Sequence, residues 1–179
     1  MEALTISFKR HTAALILTVL AMLVVASCSS ESQENSFSRI SSTDRIITET
    51  EVVGSQFKDL KHYKLDDLPG ALAAIYGFMK SGSDAFDYEV RIYESHEQAV
   101  DLGTALAGEG AGPGAALTES DAVFKEGVKD RRLAYGADRG AAGPKYGAYM
   151  IYENLIVLCQ GATYDQSIER CEFFVSELD

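Results

Sequence analysis

One segment, from Phe86 to Ile92, constrains the fold of this chain more than any other part of its 179 residues. Its side chains alternate between apolar and polar, which predicts a strand with one buried face and one solvated face. Directly after it, Ser95 and Gln98 have the spacing of a capping box, and an apolar stripe follows them. We therefore expect a helix over residues 96–107 after the strand.

The C-terminal part of the chain repeats this order of a strand and a capped helix. Residues 155–159 form a short apolar run that predicts a strand covered on both faces. Thr163 and Gln166 are placed to cap a following helix, whose apolar stripe comprises Ile168, Cys171, Val175 and Leu178. Residues 146–152 precede the run, and Asn154 in the connection tolerates the positive φ of a tight hairpin, which predicts an antiparallel pair.

Three further patterns complete the expected order of elements. The β-branched residues over 46–53 predict a first strand. A helix over 67–80 is predicted by four apolar residues at helical spacing, Leu68, Leu72, Ile75 and Met79. Thr118 and Asp121 indicate one more short helix. Together these elements predict a single α+β domain over residues 45–179, a mostly antiparallel sheet with helices packed on one face.

The first 27 residues have the organisation of a signal peptide. A polar start carries Lys9 and Arg10, and an apolar run from Ala13 to Val25 follows. As a helix this run would cover only about 20 Å, whereas a bilayer core is roughly 30 Å thick, so a permanent membrane helix is the weaker interpretation.

The end of this leader, Val25-Ala26-Ser27-Cys28, resembles the lipobox of bacterial lipoproteins. The resemblance implies that the chain is cut before Cys28, that this cysteine carries lipid, including an acyl chain such as palmitate, and that the protein is anchored outside the cytoplasm on the cell membrane or the outer membrane. The alternative is an ordinary secretory signal in which Cys28 is incidental. Serine-rich residues 28–44 are expected to form a flexible tether.

Cys159 and Cys171 are the two cysteines that remain after Cys28. Because an exported chain reaches a compartment where disulfides persist, we expect them to form a structural disulfide bond. Two buried free thiols, or metal or redox chemistry, are the alternatives.

The charge of the chain is strongly negative, at −11, with 16 basic and 27 acidic residues. Nucleic-acid binding is disfavoured, because it requires a basic surface, and lipid on Cys28 would have to supply the affinity for a membrane. Residues 125–145 are the exception, with six Lys and Arg against three Asp and Glu. Our hypothesis is that this segment contributes to a recognition surface for an envelope protein or a small ligand; the alternatives are a solvated loop and a segment that pairs with the protein's own acidic face. The members of the recognition surface are Arg131, Arg132, Tyr149 and Tyr152, with Tyr135 and Tyr146 as further tyrosines.

Motifs for catalysis, cofactors and metals are not found in the sequence. No serine lies in a GxSxG pattern, and the glycine-rich stretches 108–114 and 136–143 match neither nucleotide-binding motif, so no cofactor is expected. His62 and His96 are the histidines of the mature chain, and neither has a metal-ligand spacing to another strong ligand.

The hairpin, the strand that ends in Cys159 and the capped C-terminal helix resemble, over about 35 residues, the extracytoplasmic sensor domains of some bacterial kinases and related lipoproteins. This resemblance implies a non-catalytic binding or sensing module. An envelope enzyme of the hydrolase type with scattered site residues is one alternative, and a structural accessory lipoprotein of an envelope complex is the other.

Overall fold

The computed structural model describes residues 38–134 and 142–178. The predicted signal peptide, Cys28 and Tyr135 lie outside these residues. The strands are β1 (Ser38–Ser41), β2 (Lys58–His62), β3 (Ala71–Ser81), β4 (Asp84–Tyr93), β5 (Arg132–Ala134), β6 (Ala142–Pro144), β7 (Tyr146–Tyr152) and β8 (Leu155–Gln160). The helices are α1 (Glu49–Gly54), α2 (residues 96–110) and α3 (Tyr164–Ser176). Helix α2 begins as His96–Gln98, continues through a π-helical turn, Ala99–Gly103, and ends as Thr104–Gly110.

Six strands form one sheet in the order β1-β7-β8-β4-β3-β2, and β5 and β6 form a separate two-stranded ribbon. Every neighbouring pair in the large sheet is antiparallel except β1 and β7, which are parallel. The predicted α+β class and the mostly antiparallel sheet are confirmed. The edges of the sheet are β1 and β2.

One face of the sheet carries an apolar core beneath α1 and α3. Val90 and Val157, from adjacent strands, pack in one buried cluster with Val52 of α1 and with Cys171 and Phe174 of α3. The other face of the same strands packs against α2: Ile156 and Leu158, for example, form a buried cluster with two alanines of that helix, Ala99 and Ala107. The prediction of helices on one face is therefore corrected, because helices cover both.

The predicted helix over 67–80 is wrong, because residues 71–81 form strand β3 between β2 and β4. Alternate side chains from Ala73 to Met79 face the apolar core, and those between them face α2 and the loops on the other side. A strand that is covered on both faces shows little polar and apolar alternation, and four apolar residues then match a helical spacing by chance.

The predicted strand over 46–53 is also wrong, because its second half is helix α1. Thr48 is the N-cap, its side chain accepts a hydrogen bond from the backbone of Glu51, and the Glu51 carboxylate accepts one from the Thr48 backbone. These two bonds form a capping box and stabilise the helix against the strand preference of its valines. Thr118 and Asp121 form a hydrogen-bonded turn rather than begin a helix.

The C-terminal predictions are confirmed in their main features. β7 and β8 form a hairpin, the Thr163 side chain caps α3 by accepting a hydrogen bond from the Gln166 backbone, and Cys159 and Cys171 are joined by a disulfide bond. The residue with positive φ in the hairpin turn, however, is Glu153, with φ of 53°. The Asn154 side chain instead accepts a hydrogen bond from the Ile47 N–H and donates one to the Tyr93 carbonyl.

Part of the segment predicted to be a tether belongs to the sheet, because Ser38–Ser41 pairs with β7. The chain after β1 is held by the buried carboxylate of Glu153, which accepts hydrogen bonds from the backbone of Thr43 and Arg45 and from the Thr43 hydroxyl. Residues 38–45 thus belong to the domain.

Candidate functional site

The largest departure from the sequence prediction is a charge cluster buried on the α2 side of the sheet. Glu89 and Arg91 of β4 and Arg131 of the loop before β5 are each fully buried. The Glu89 carboxylate accepts hydrogen bonds from Arg91 at 2.7 and 2.8 Å and from Arg131 at 3.1 and 3.2 Å. The polar face of β4 was predicted to be solvated, but the segment between α2 and β5 covers it.

An aromatic side chain packs against the cluster. The Phe124 ring lies about 5 Å from both guanidinium groups, at 5.2 Å from Arg91 and 5.1 Å from Arg131. Burial alone would raise the pKa of Glu89, but the two guanidinium groups outweigh it and lower that pKa. The cluster is therefore ionised at neutral pH, and we assign it the role of holding the 111–131 segment on the sheet.

A second polar group lies on the same face at the edge of this cluster. Lys145 donates to Asp87 at 2.6 Å and to the Tyr76 hydroxyl at 3.0 Å, and Tyr76 donates to Asp87 at 2.8 Å. Burial lowers the pKa of Lys145, but the bonds to Asp87 and Tyr76 outweigh it and raise that pKa. A lysine held in its charged form is a poor nucleophile, so this triad is an ion pair with a bridging hydroxyl.

The predicted recognition surface is not assembled in the structure. Arg131 is fully buried and Tyr149 is only 6% exposed, so the prediction is wrong for both. Arg132 is exposed and Tyr152 is half-buried, but with the other two residues buried they do not form the expected face. Two cations of the basic segment form ion pairs within the domain, Arg131 with Glu89 and Lys145 with Asp87.

The two histidines have different surroundings. His96 forms a 2.7 Å hydrogen bond to the Glu153 carbonyl and so belongs to the hairpin-turn contacts. His62 lies in an open depression of about 430 Å³, where one ring nitrogen is 3.4 Å from Glu49 and the other is 3.4 Å from Asp59. Each ring nitrogen of His62 thus faces a carboxylate.

A groove at one end of the sheet is a candidate place for a ligand, and we call it the end groove. Its volume is about 460 Å³, within the usual range of small-molecule sites. It is lined by the loop after α2, the end of β6, the start of β7, the β8–α3 connection and the first residue of α3, namely Gly112, Pro113, Pro144, Gly147, Gly161, Ala162, Thr163 and Tyr164.

Glycines form the wall of the end groove because side chains would not fit there. A Cβ atom on Gly161 would lie 2.2 Å from the Ser167 hydroxyl oxygen, and one on Gly147 would lie 2.7 Å from the Thr163 carbonyl. Gly112 adopts a φ of 79°, a left-handed conformation that favours glycine. The Gly147 N–H donates to Ser167, which joins β7 to α3. The wall is therefore closely packed backbone, with the Tyr164 ring beside it.

The chemistry of the end groove suits binding. Its eight lining residues offer backbone groups, small apolar groups and two hydroxyls, and none of them is a His, Asp, Glu, Lys, Arg or Cys. Within residues 38–134 and 142–178, no three His, Cys, Asp or Glu side chains are placed to hold a metal ion. Over the same described ranges, no helix has both the length and the apolar character needed to cross a bilayer.

The comparisons with known proteins place the chain in a family without revealing an activity. No curated protein and no solved structure matches it. A family model matches residues 48–179, which contain every element described above except β1. This chain belongs to that family, which is described as a family of unknown function, DUF6810.

Proposed function

We propose that this protein is a lipid-anchored extracytoplasmic module that binds a small ligand, without catalysis, in the end groove. The observation that carries the proposal is a ligand-sized groove whose wall is closely packed glycine backbone and whose lining contains no His, Asp, Glu, Lys or Cys. Such a groove can hold a ligand by shape and by backbone hydrogen bonds.

The anchored, extracytoplasmic location is supported by two features of the chain. The leader ends in a sequence that resembles a lipobox, with Cys28 at the position that receives lipid. The Cys159–Cys171 disulfide suits an oxidising compartment such as the space outside the cytoplasm.

The non-catalytic character is supported by the buried ionisable groups. The pKa of Glu89 is lowered and that of Lys145 is raised, and burial raises the pKa of Tyr63, so these three move away from neutrality. Catalytic acids and bases usually have a pKa close to the working pH. These groups are better suited to stabilising the fold than to transferring protons.

Replacing Cys28 tests the anchor. We expect Cys28→Ala to abolish incorporation of radiolabelled palmitate and to release the protein from the membrane fraction. Ser29→Ala is the matched control and should remain labelled and membrane-bound. If the Cys28→Ala protein matured normally and still fractionated with membranes, the anchor would be refuted.

Filling the end groove tests the binding site. We expect indole and benzoate, added as probes, to shift the amide NMR signals of Gly112, Gly147 and Gly161. Ala162→Trp should fill the groove and abolish these shifts while the melting temperature stays near that of the wild type. Ala105→Trp, on the exposed side of α2, is the matched control. Shifts that persist unchanged in Ala162→Trp would contradict the proposed site.

A hydrolase-like activity is the second candidate, and His62 between Glu49 and Asp59 is the observation that favours it. If this site is catalytic, His62→Ala should abolish hydrolysis of nitrophenyl esters by the purified domain. Equal hydrolysis by wild type and variant, at the background rate, would remove this candidate.

A further inference from the structure

The sheet has two ends that differ in what they carry. At one end lie the start of β7, the end of β8 and the first turn of α3, together with the end groove. Strand β1 runs parallel to β7, with Ser38 opposite Tyr149, so the N-terminal end of the domain points toward this end. We call it the anchor pole. The opposite end, the distal pole, carries the β7–β8 turn at Glu153 and the start of α2.

The chain between Cys28 and Ser38 spans at most about 36 Å when its ten residue steps are fully extended. Strand β3, which runs from the distal pole to the anchor pole, has 11 residues and is about 35 Å long. Because Ser38 lies opposite Tyr149, midway along β7, this connection has the length to reach a bilayer at either pole. The direction in which the chain enters β1 favours the anchor pole, since in an inverted domain the connection would have to turn back beside the sheet.

The charges of the two poles also differ. The distal pole has six exposed carboxylates at element ends and in adjoining loops, those of Asp44, Asp66, Asp67, Glu94, Glu97 and Asp101. The cations there include Lys64 and Arg45, and Arg45 is paired with Glu51. Among the described residues, the charges of the anchor pole are balanced: the cations Lys58, Lys80 and Arg170 lie there with the carboxylates Asp84, Asp165 and Glu169, and Lys145 is paired with Asp87.

An anionic bilayer would distinguish these poles. The Debye length is about 8 Å at physiological ionic strength, so charges about 35 Å above the surface are screened from it. If the domain were inverted, the six carboxylates would lie within the repulsive field of the headgroups. Repulsion and the direction in which the chain enters β1 therefore favour the same orientation.

We propose that the anchored domain stands on the bilayer on its anchor pole, with the end groove facing the lipid headgroups and the acidic distal pole pointing away. This inference rests on the proposed lipid anchor at Cys28. The ligand of the end groove would then be met at the membrane surface.

The chain has no tryptophan, so single tryptophans can report the orientation. The lipidated protein is placed in vesicles of phosphatidylethanolamine and phosphatidylglycerol that contain lipid with a nitroxide on its headgroup. Tyr164→Trp and Ser83→Trp mark the anchor pole, and Leu72→Trp, at a side chain 63% exposed near the distal pole, is the matched control. We expect headgroup quenching to be several-fold stronger at positions 164 and 83 than at position 72.

The outcomes separate the orientation from the anchor. Protein that does not remain on the vesicles refutes the lipid anchor and, with it, the orientation. Protein that remains bound but is quenched equally at both poles, or more at position 72, refutes the orientation alone. Charge reversal provides a second test: in the Leu72→Trp protein, changing Asp66, Asp67, Glu94 and Glu97 to Lys should raise quenching several-fold on these vesicles and much less on phosphatidylcholine vesicles. No increase on the anionic vesicles would contradict the repulsion argument.

Discussion

The two faces of the central sheet are stabilised in different ways. The face beneath α1 and α3 is apolar, and a disulfide between β8 and α3 crosses it. The α2 face combines an apolar part with the Glu89 charge cluster, and an irregular segment, residues 111–131, covers that cluster. A regular helix can be held by a stripe of apolar side chains, whereas this irregular segment is held by two buried arginines and Phe124.

Removing Glu89 should give the largest loss of stability on either face. Glu89→Ala leaves Arg91 and Arg131 buried without their shared carboxylate, and breaking a buried pair in this way costs about 3–5 kcal/mol. The free energy of unfolding from urea titration should fall by this amount. Asp84→Ala, at the exposed start of the same strand, is the control and should change little.

A triple variant sharpens this test. Replacing Glu89, Arg91 and Arg131 together with Leu, Met and Met should recover much of the loss, because the uncompensated charges are removed as well. If Glu89→Ala proved as stable as the wild type, the cluster would not be what holds the covering segment.

The disulfide should give the next largest effect, on the apolar face. Cys159 and Cys171 lie 12 positions apart, and closing a loop of about this length stabilises a fold by roughly 3 kcal/mol. The double variant Cys159→Ala, Cys171→Ala should lose about this much free energy of unfolding. A reducing agent should destabilise the wild type to a similar extent and leave the double variant unchanged; equal sensitivity of the two proteins to the reductant would contradict this assignment.

Lys145 should have a smaller effect that depends on pH. Lys145→Met removes the cation from Asp87 and Tyr76 and should cost about 1–2 kcal/mol at neutral pH. The pKa of Lys145 is raised in the folded protein above its ordinary value of 10.5. The stabilisation that Lys145 provides is therefore complete below pH 10.5 and is lost as the pH rises through the pKa of the folded state.

The stability difference between wild type and Lys145→Met should therefore narrow in alkaline solution, as measured by urea unfolding at several pH values. Lys80→Met, at an exposed lysine of the same sheet, should show no such trend. A difference that stays constant well above pH 10.5 would show that the charge of Lys145 is not what stabilises the fold.

The elements that the sequence predicts correctly are those whose local pattern agrees with their tertiary contacts. The hairpin, α3 and its Thr163 cap follow from turn, period and capping patterns that tertiary contacts leave unchanged. The reasoning failed at β3, because burial on both faces removes the alternation that marks a strand. At α1 the capping-box pair Thr48 and Glu51 was present in the sequence, but β-branched residues were given more weight.

The candidate site was harder to predict than the fold. Glu89 and Arg91 looked solvated because alternation reports which residues share a face but not what covers that face. Arg131 lies 42 positions from Glu89, so nothing local connects them. The end groove is made of glycine and proline backbone from two loops and two strands that are spread along the sequence, and no motif describes such a wall.

The parallel pairing of β1 with β7 has a mechanical consequence for an anchored protein. Tension from a lipid on Cys28 would enter the domain at Ser38 and pull along the strand, so the rungs between β1 and β7 would be loaded together in shear rather than opened one by one. The hydrogen bonds from Thr43 and Arg45 to the Glu153 carboxylate follow β1 in the chain and would also resist this tension. An anchored domain that is pulled through its lipid would thus resist unfolding from its N-terminal strand.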